Sequence, residues 1–515
     1  MTHRLVSSSL LALVCAVVHA SATAANEFAA MASALESIQV DDLTGHTDTL
    51  ADDAFEGREA GTRGGKATSN YLMKELEKYG LTPAGDRGSF FQQFGGYRNV
   101  LAVLPGSDEK LKSEYVVLGA HYDHVGYGTK RNSYGSGYIH NGADDNASGT
   151  SALLEVAQAL TLLPKAPRRS ILIAFWDAEE KGLLGSKHWM KHPTIPVGNV
   201  VFKINADMIG RMEKDKLIVY GTRTGAGLRQ IVAAANHRTD LKISYVWWLN
   251  PRSDHYTFSK KNIPVLMLHT GLHSDYHRPT DDAHKLNAQG MRRITQLFLT
   301  LTYDLAQRRD LPKFRKEGAW ESSAQRKVFE APPAPKQPRL GVTWENDNPK
   351  PDAPGLTVKS VLPHSAAEDA GLRRGDRIVQ FNGQELTSGD QFRAFVLAAP
   401  RESTLQIVRS QGDNAENMPV KLSGNPVQLG ISWRENSAEP NAVTVVSVLP
   451  GSPTQLAGVR RLDRIIAVDG QKFDGSKGFE ELILTDAEER EFDVERDGRF
   501  LKLRVTPNKV STPLE

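Results

Sequence analysis

Two adjacent carboxylates, Glu179 and Glu180, stand just beyond an apolar, β-branched run over 171–174. A strand that ends there delivers the following side chains rigidly into a crevice at the edge of a sheet. Neighbouring residues on an irregular turn can then face two different targets, one a metal ion and the other a water molecule. A lone glutamate pair is most often a solvated surface feature, so the interpretation depends on what the chain places beside it.

Four more short blocks carry side chains that bind hard metals, and most of them follow a similar apolar run. They supply His121 and Asp123, the Asp144-Asp145 pair, Asp207, and His277. Taken singly, Asp145 or Asp207 is as well explained by a helix cap. Taken together, two imidazoles and three carboxylates with one spare glutamate suit two zinc ions that share a bridging carboxylate. Two such ions can activate one shared water molecule for hydrolysis.

The elements that must position these residues lie between about residues 45 and 312. Apolar strands alternate there with amphipathic helices, which is typical of an α/β domain with a mostly parallel central sheet flanked by helices. In such a sheet, side chains far apart in sequence meet at the carboxyl ends of the strands. The hydrophobic pattern predicts strands over 115–118, 171–175, 200–204 and 263–268, and helices over 68–79, 150–162 and 291–307.

A polar, proline-rich segment follows, with a composition typical of a solvated spacer. Beyond it lies an internal repeat, in which three blocks recur with one constant shift; one of them is Asp376-Arg377-Ile378, which returns as Asp463-Arg464-Ile465. A unit of this size is a duplicated small domain. We therefore expect a signal peptide over 1–24, an α/β domain over 25–312, a linker over 313–337, and two small β-rich domains over 338–425 and 426–510.

The ends and the charge of the chain bear on its location and partners. With 63 Lys+Arg against 61 Asp+Glu, the chain has no basic excess that would favour nucleic acid or an anionic membrane. The first residues combine Arg4, an apolar stretch over 10–18 and a small-residue cleavage pattern ending at Ala24, which is typical of a secretory signal peptide. No later run approaches the roughly 20 apolar residues of a transmembrane segment. We expect export to the periplasm or the extracellular space.

Cysteine chemistry is excluded from the exported chain. Cys15 is the single cysteine, and it lies within the predicted signal peptide. Any metal must therefore be held by histidine and carboxylate rather than thiolate.

The blocks resemble those of the dizinc aminopeptidase family of metallopeptidases, which also includes glutamate carboxypeptidases and resembles the glutaminyl cyclases. The strings that carry the resemblance are GADDNASG over 142–149 and WDAEEKGLLGS over 176–186, and the similarity covers about residues 45–310. It implies a zinc exopeptidase fold and two Zn²⁺ ions per chain. The implied terminal ligands are His121, Glu180, Asp207 and His277, and the implied bridge is Asp145.

The resemblance also implies how the residues divide the work. Glu179 becomes the general base, which takes a proton from the attacking water and returns it to the leaving amine. Tyr276 helps to hold the developing oxyanion. Independently of the resemblance, Asp123 lies two residues after His121 at a strand end, so it can orient that imidazole or a nearby ligand. A non-proline cis peptide is implied between Asp145 and Asn146. The implied activity is removal of N-terminal residues from peptides, with peptides as the substrates.

Specificity is less readable in the sequence. Trp247 and Trp248 either line an apolar substrate pocket or belong to the core. Arg252 either pairs with a substrate carboxylate or backbone, or with Asp254. These alternatives stay open at the level of sequence.

The two repeats are similar to the PDZ modules of bacterial envelope proteases. That resemblance implies that peptide C-termini bind as an added strand at the loops 339–342 and 428–431, while packing or oligomerisation is the alternative role. The second repeat departs from the first where Leu462 replaces Gly375, which puts its turn geometry in doubt.

Three rival functions fit the same scaffold. They are a carboxypeptidase, a glutaminyl-cyclase-like enzyme with one metal, and an inert peptide-binding scaffold. The complete ligand set argues against a one-metal enzyme, and the presence of Glu179 argues against an inert scaffold.

Overall fold

The computed structural model describes residues 26–348, 354–483 and 488–508. The predicted signal peptide lies outside the described residues. Two compact units are present, one running to Ser323 and the other beginning at Ala324. Within the described ranges, no helix combines the length and the hydropathy needed to cross a bilayer.

The first unit is built on a nine-stranded sheet. Its strands are β1 (Thr82–Pro83), β2 (Phe91–Phe94), β3 (Tyr97–Leu104), β4 (Tyr115–His121), β5 (Ser170–Trp176), β6 (Val200–Ala206), β7 (Lys216–Tyr220), β8 (Lys242–Tyr245) and β9 (Val265–His269). They lie in the order β1-β3-β5-β4-β6-β9-β7-β8, with β2 paired to β3. The four central strands β5, β4, β6 and β9 are parallel, and β3 and β7 flank them antiparallel. The predicted α/β class with a mostly parallel centre is confirmed.

Helices cover both faces of this sheet. They are α1 (26–37), α2 (Val40–Leu50), α3 (Arg63–Lys78), α4 (Gly149–Thr161), α5 (Leu184–Lys191), α6 (Leu228–Ala235), α7 (His255–Ser259) and α8 (Ala288–Gln307). The large core cluster lies between the sheet and the helices α2, α3, α4, α6 and α8, and a smaller cluster lies under α5 and α7. The sequence of helix α8 explains why one of its faces packs against the sheet. Its buried residues recur at three- to four-residue spacing and so lie on one side of the helix: Ile294, Leu297, Phe298 and Leu301.

The second unit begins with helix α9 (Ser323–Glu330) at its edge and contains two antiparallel sheets. The first sheet has strands β10 (Val342–Trp344), β11 (Leu356–Val361), β12 (Arg377–Phe381), β13 (Gln384–Glu385), β14 (Glu402–Val408) and β15 (Ala415–Lys421), with helices α10 (Ala366–Asp369) and α11 (Gly389–Ala398). The second has β16 (Ile431–Arg434), β17 (Val443–Val448), β18 (Arg464–Val468), β19 (Arg490–Arg496) and β20 (Arg499–Val505), with α12 (Pro453–Leu456) and α13 (Gly475–Ile483). Each sheet has its own core cluster.

The sequence repeat is also a structural repeat. Gly341 and Gly430, in the two proposed peptide-binding loops, both have left-handed backbones, and a Cβ on either would lie 2.3 or 2.2 Å from the Cβ of a buried serine. Leu462 has φ 73° where Gly375 has φ 88°. The second repeat therefore keeps the turn of the first, although leucine rarely adopts this conformation.

Candidate metal centre

The carboxyl ends of the central strands lie side by side. Parallel pairing places His121 of β4 opposite Trp176 of β5, and Gly119 of β4 opposite Asn205 of β6. The loops that leave these strand ends therefore open into one crevice, as the sequence pattern predicts.

Two groups of potential ligands share Asp145 in this crevice. One comprises His121, Asp145 and Asp207, with His121 Nε2 3.4 Å from Asp145 Oδ1 and 3.5 Å from Asp207 Oδ1. The other includes His277 and Glu180, with His277 Nε2 3.1 Å from Asp145 Oδ2 and 3.3 Å from Glu180 Oε2. The two carboxylate oxygens of Asp145 thus face different groups, which is the arrangement that a bridging ligand requires.

The spacing of these donors fits zinc. Ligand bonds of about 2.0–2.1 Å in a tetrahedral site place neighbouring donor atoms roughly 3.3 Å apart, close to the separations in both groups. Burial lowers the pKa of His277, but hydrogen bonds to Asp145 and Glu180 outweigh it and raise the pKa to about 11. The imidazole thus holds a proton that balances the surrounding carboxylates, and a divalent cation would take over that balancing role.

His124 joins the second group, and the sequence analysis did not single it out. Its Nδ1 lies 2.9 Å from Glu180 Oε1 and 3.8 Å from Asp145 Oδ2, and its Nε2 is buried without a partner among the described residues. The only sequence signal was its place three residues beyond His121. That is too far past the strand end for a strand pattern to fix the direction of a side chain.

Glu179 lies beside both groups and belongs to neither. Burial raises its pKa well above the usual value, and among the neighbouring carboxylates that push the same way is Asp254. The carboxylate of Asp123 accepts the backbone N–H groups of Glu179 at 2.9 Å and Glu180 at 3.3 Å. Its nearest approach to His121 Nδ1 is 3.7 Å, and that nitrogen lies 3.1 Å from the carbonyl of Asp123. Asp123 therefore fixes the turn that carries the glutamate pair.

The backbone around the crevice departs from ordinary conformations. Ala178, Met208 and His277 have positive φ values of 55°, 53° and 52°, each at or next to a predicted site residue. Strained positions of this kind cluster at functional sites. The peptide bond between Asp145 and Asn146 is cis, so that prediction is confirmed.

Asp144 has a different role from its neighbour. Its Oδ1 accepts the N–H of Gly210 at 2.6 Å, and its Oδ2 lies 3.1 Å from His273 Nε2. Behind it, Oδ2 of the buried Asp281 accepts the N–H groups of Asp144 at 3.0 Å and Asp145 at 3.1 Å. Asp144 belongs to neither ligand group, and these contacts hold the loop that presents Asp145.

The crevice opens into a cavity of about 220 Å³, lined by mostly apolar or aromatic side chains together with Glu179 and four of the candidate ligands, which are His121, Asp145, Glu180 and Asp207. Trp248 lines it and is 45% exposed, whereas Trp247 is buried. Of the two alternatives that the sequence left open, Trp248 is thus a pocket residue and Trp247 a buried one. Arg252 also lines the cavity, while Asp254 is fully buried.

Comparison with known proteins identifies the domains. The profile of peptidase family M28 matches residues 99–302, and PDZ profiles match residues 357–409 and 427–506. Residues 99–302 are a peptidase family M28 domain. The two repeats that follow are PDZ domains, so both resemblances inferred from the sequence are confirmed.

Similar proteins overlap the chain in part. Leupeptin-inactivating enzyme 1 of Streptomyces exfoliatus is 28% identical over 241 residues, which is 46% of this chain and 49% of that enzyme. Probable glutamate carboxypeptidase AMP1 of Arabidopsis thaliana is 38% identical over 113 residues, 21% of this chain and 14% of that protein. The LapA aminopeptidase structure of Legionella pneumophila has a TM-score of 0.46 at 24% identity, covering 54% of this chain and 74% of that structure. The chain thus spans half or less of these two curated relatives.

Arg58, which precedes the region matched by the M28 profile, connects several loops of the candidate metal centre. Arg58 is 1% exposed, and its guanidinium donates to the carbonyls of Leu50 at 2.7 Å, Tyr122 at 3.0 Å, Asn141 at 2.5 Å and Gly142 at 2.8 Å. Burial lowers its pKa to about 10, against the opposing effect of the site carboxylates, so it stays charged at neutral pH. Sequence analysis missed it because no ligand or strand pattern marks its position.

Replacing Arg58 by methionine is expected to destabilise the M28 domain by about 3 kcal/mol, because four carbonyls lose a charged donor. The measurement is urea unfolding of the metal-free protein, together with zinc titration. We expect weaker zinc binding as well, since two of these carbonyls belong to the loop before Asp145. Replacement of the exposed Arg63, whose ion pair with Glu56 is solvent-exposed, is the matched control and should change stability by less than about 1 kcal/mol. Equal stability of the two variants would contradict this role.

Proposed function

We propose that the chain is an exported aminopeptidase that uses two zinc ions to hydrolyse the N-terminal peptide bond of peptides. One observation carries the proposal: Asp145 presents its two oxygens to two separate ligand groups, with the carboxylate of Glu179 left over beside them. A metal cage needs the first feature, and hydrolysis needs the second. Membership of peptidase family M28 supports the same reading.

In this proposal each ion has its own terminal ligands. His121 and Asp207 would hold one, Glu180 and His277 the other, and Asp145 would bridge them, with His124 as a further donor to the second group. Bound zinc lowers the pKa of water and polarises a carbonyl oxygen.

The remaining steps belong to side chains of the chain itself. Glu179 accepts a proton from the attacking water at its carboxylate and delivers it to the leaving amine nitrogen. Asp123 holds the backbone of the glutamate pair, so that the two carboxylates keep different directions. Burial raises the pKa of Tyr276, so its phenol stays protonated and can donate a hydrogen bond to the developing oxyanion.

The cavity supports an exopeptidase that accepts an apolar terminal side chain. Met208, Met267 and Leu272 line it together with aromatic residues, and its volume of about 220 Å³ suits a single side chain. We expect leucine and phenylalanine anilides to be cleaved at least about tenfold faster than aspartyl anilide, because burying a carboxylate in a mostly apolar pocket costs free energy.

A substrate panel tests the function and separates it from its rivals. Purified protein is assayed with aminoacyl anilides, with N-acylated peptides that have a free C-terminus, and with glutaminyl peptides, before and after chelation and zinc readdition. We expect cleavage of the anilides, no cleavage of the N-acylated peptides and no cyclisation of the glutaminyl peptides. Activity should be lost with chelator and recovered with zinc, with about two zinc ions per chain. Cleavage of the blocked peptides would indicate a carboxypeptidase, and cyclisation with one metal a cyclase. No turnover with zinc bound would indicate an inert scaffold.

Three further parts of the proposal concern the rest of the chain. We propose cleavage of the signal peptide near residue 24, the domain limits given by the sequence analysis, and binding of peptide C-termini at the loops 339–342 and 428–431. In the first of these loops the guanidinium of Arg339 donates to the carbonyl of Leu397 at 2.9 Å. That bond anchors the loop to the end of α11.

A further inference from the structure

A row of polar side chains descends from the metal centre into the core. Lys203 and Asn205 alternate along β6 and so share one face of the sheet, and Asp207 follows the last residue of the strand. Ser253 donates to Asp207 Oδ2 at 2.5 Å, and Asn205 Nδ2 donates to Ser253 Oγ at 2.9 Å. A polar connection thus leads from a candidate zinc ligand toward Lys203.

Lys203 is a fully buried cation without a hydrogen-bond partner among the described residues. Its Nζ lies 5.5 Å from the ring centroid of Trp176 and 5.4 Å from that of Phe258. The glycine at position 119 makes room for it, since a Cβ there would lie 1.9 Å from Lys203 Nζ and 2.6 Å from Trp176 Nε1. The ammonium therefore lies in the space beside Gly119, close to the indole N–H of Trp176.

Other buried polar atoms near this space also lack partners within the described ranges. They are Trp176 Nε1, Asn205 Oδ1 and both carboxylate oxygens of Asp254. Asp254 and Lys203 are both completely buried and carry opposite charges, yet they make no direct ion pair within 4 Å. Native proteins pair nearly all of their buried polar atoms, with each other or with ordered water. A group of unpaired donors and acceptors in one place is the usual setting of internal water.

We propose that ordered water beside Gly119 bridges Lys203 to Asp254, and that the bridged pair positions Ser253 and, through its hydrogen bond, the carboxylate of Asp207 at the metal centre. The first part stands on the buried atoms alone, and the second rests on the proposed peptidase function. Lys203 and Asp254 are positioning residues, because neither touches the reacting atoms. They act through Ser253, the residue before Asp254, which donates to Asp207 Oδ2.

Electrostatics support the connection. Burial raises the pKa of Asp254 to about 6, against the opposing effects of His121, the hydroxyl of Ser186 and Lys203. Burial lowers the pKa of Lys203 to about 7, and Asp254 opposes that shift. Each partner therefore depends on the other for its charge. The remaining ionisable neighbours of the pair are His255, which burial keeps neutral, and Asp123.

A double-variant cycle tests the pair. Lys203→Met keeps the size of the side chain and removes its charge, and Asp254→Asn removes the opposite charge. We expect each single variant to bind two zinc ions and to lose about tenfold in kcat with KM nearly unchanged, in the range typical of residues that support a site from behind. The double variant should regain most of that loss, because it leaves no unbalanced charge. A double variant no better than the poorer single variant overturns the pair, as does a crystal structure of the zinc-loaded protein without water bridging Lys203 and Asp254.

Gly119→Ala provides a second test that leaves both charges in place. The added methyl group would occupy the position of the ammonium, so we expect it to lower kcat as Lys203→Met does. Gly198→Ala is the matched control, because a Cβ there meets nothing within 4 Å. Equal kcat in the two glycine variants would overturn the proposal. If the wild-type protein has no turnover while the crystal structure shows the bridging water, the peptidase function fails and the internal pair stands.

Discussion

Replacing Glu179 by alanine is expected to leave two zinc ions bound and to lower kcat by about 10²- to 10⁴-fold, the usual contribution of general acid–base catalysis. The reason is geometric. Glu179 lies in the cavity beside both ligand groups, but it is a member of neither. Its loss should therefore remove proton transfer and spare the metal cage. Zinc content by elemental analysis and anilide hydrolysis under substrate saturation measure the two effects separately.

Glu180→Ala is the matched control, since it changes the adjacent residue of the same turn. Glu180 lies 3.3 Å from His277 Nε2 and 2.9 Å from His124 Nδ1, so its removal should release zinc from one group. The two variants are thus expected to differ in metal content although both lose turnover. Equal turnover in wild type and Glu179→Ala, with zinc bound in both, would exclude Glu179 as the base.

The sequence predicted which side chains of the site would come together, because that depends on the order and direction of the strands. The apolar runs located the strands β4, β5, β6 and β9, although the predicted carboxyl ends fall one to three residues before the observed ones. Parallel pairing then required the loops beyond these strands to meet. The meeting of His121, Asp145, Glu180, Asp207 and His277 in one crevice follows from that topology. Their roles as ligands remain predictions that depend on a metal measurement.

The sequence did not predict features of the site that depend on the geometry of irregular turns or on contacts between buried side chains. The direction of His124 follows from an irregular turn, which hydrophobic periodicity does not describe. Arg58 donates hydrogen bonds to backbone carbonyls. Because every residue has a carbonyl, the sequence does not show which ones an arginine contacts. Lys203 occupies a strand position where the pattern predicts an apolar side chain, and only Gly119 on the neighbouring strand shows that space was left for it. The sequence offers Asp254 as one alternative partner for Arg252, but in the structure Asp254 is fully buried, next to Ser253, which contacts Asp207.

Replacing Asp145 by alanine is expected to reduce bound zinc from two ions to less than one and to abolish measurable turnover. Its Oδ1 faces His121 and its Oδ2 faces His277, at 3.4 and 3.1 Å, so a single substitution removes a donor from both groups. Three of the candidate donors to one group and two to the other remain, too few for a closed site of the usual four ligands. Zinc content after gel filtration is the direct measurement, and the zinc-dependent rise in Tm reports the same loss, since a ligand that binds only the folded state stabilises it.

Two control variants separate a bridging role from a general structural one. His277→Ala removes one donor from one group, so we expect it to keep about one zinc ion. Asp144→Asn changes the neighbouring carboxylate, whose contacts are to Gly210 and His273, and should lower stability while two zinc ions remain bound. The order of zinc content should therefore be Asp144→Asn above His277→Ala above Asp145→Ala. Zinc loss in Asp144→Asn equal to that in Asp145→Ala would mean that the loop, and not a shared carboxylate, holds the metals.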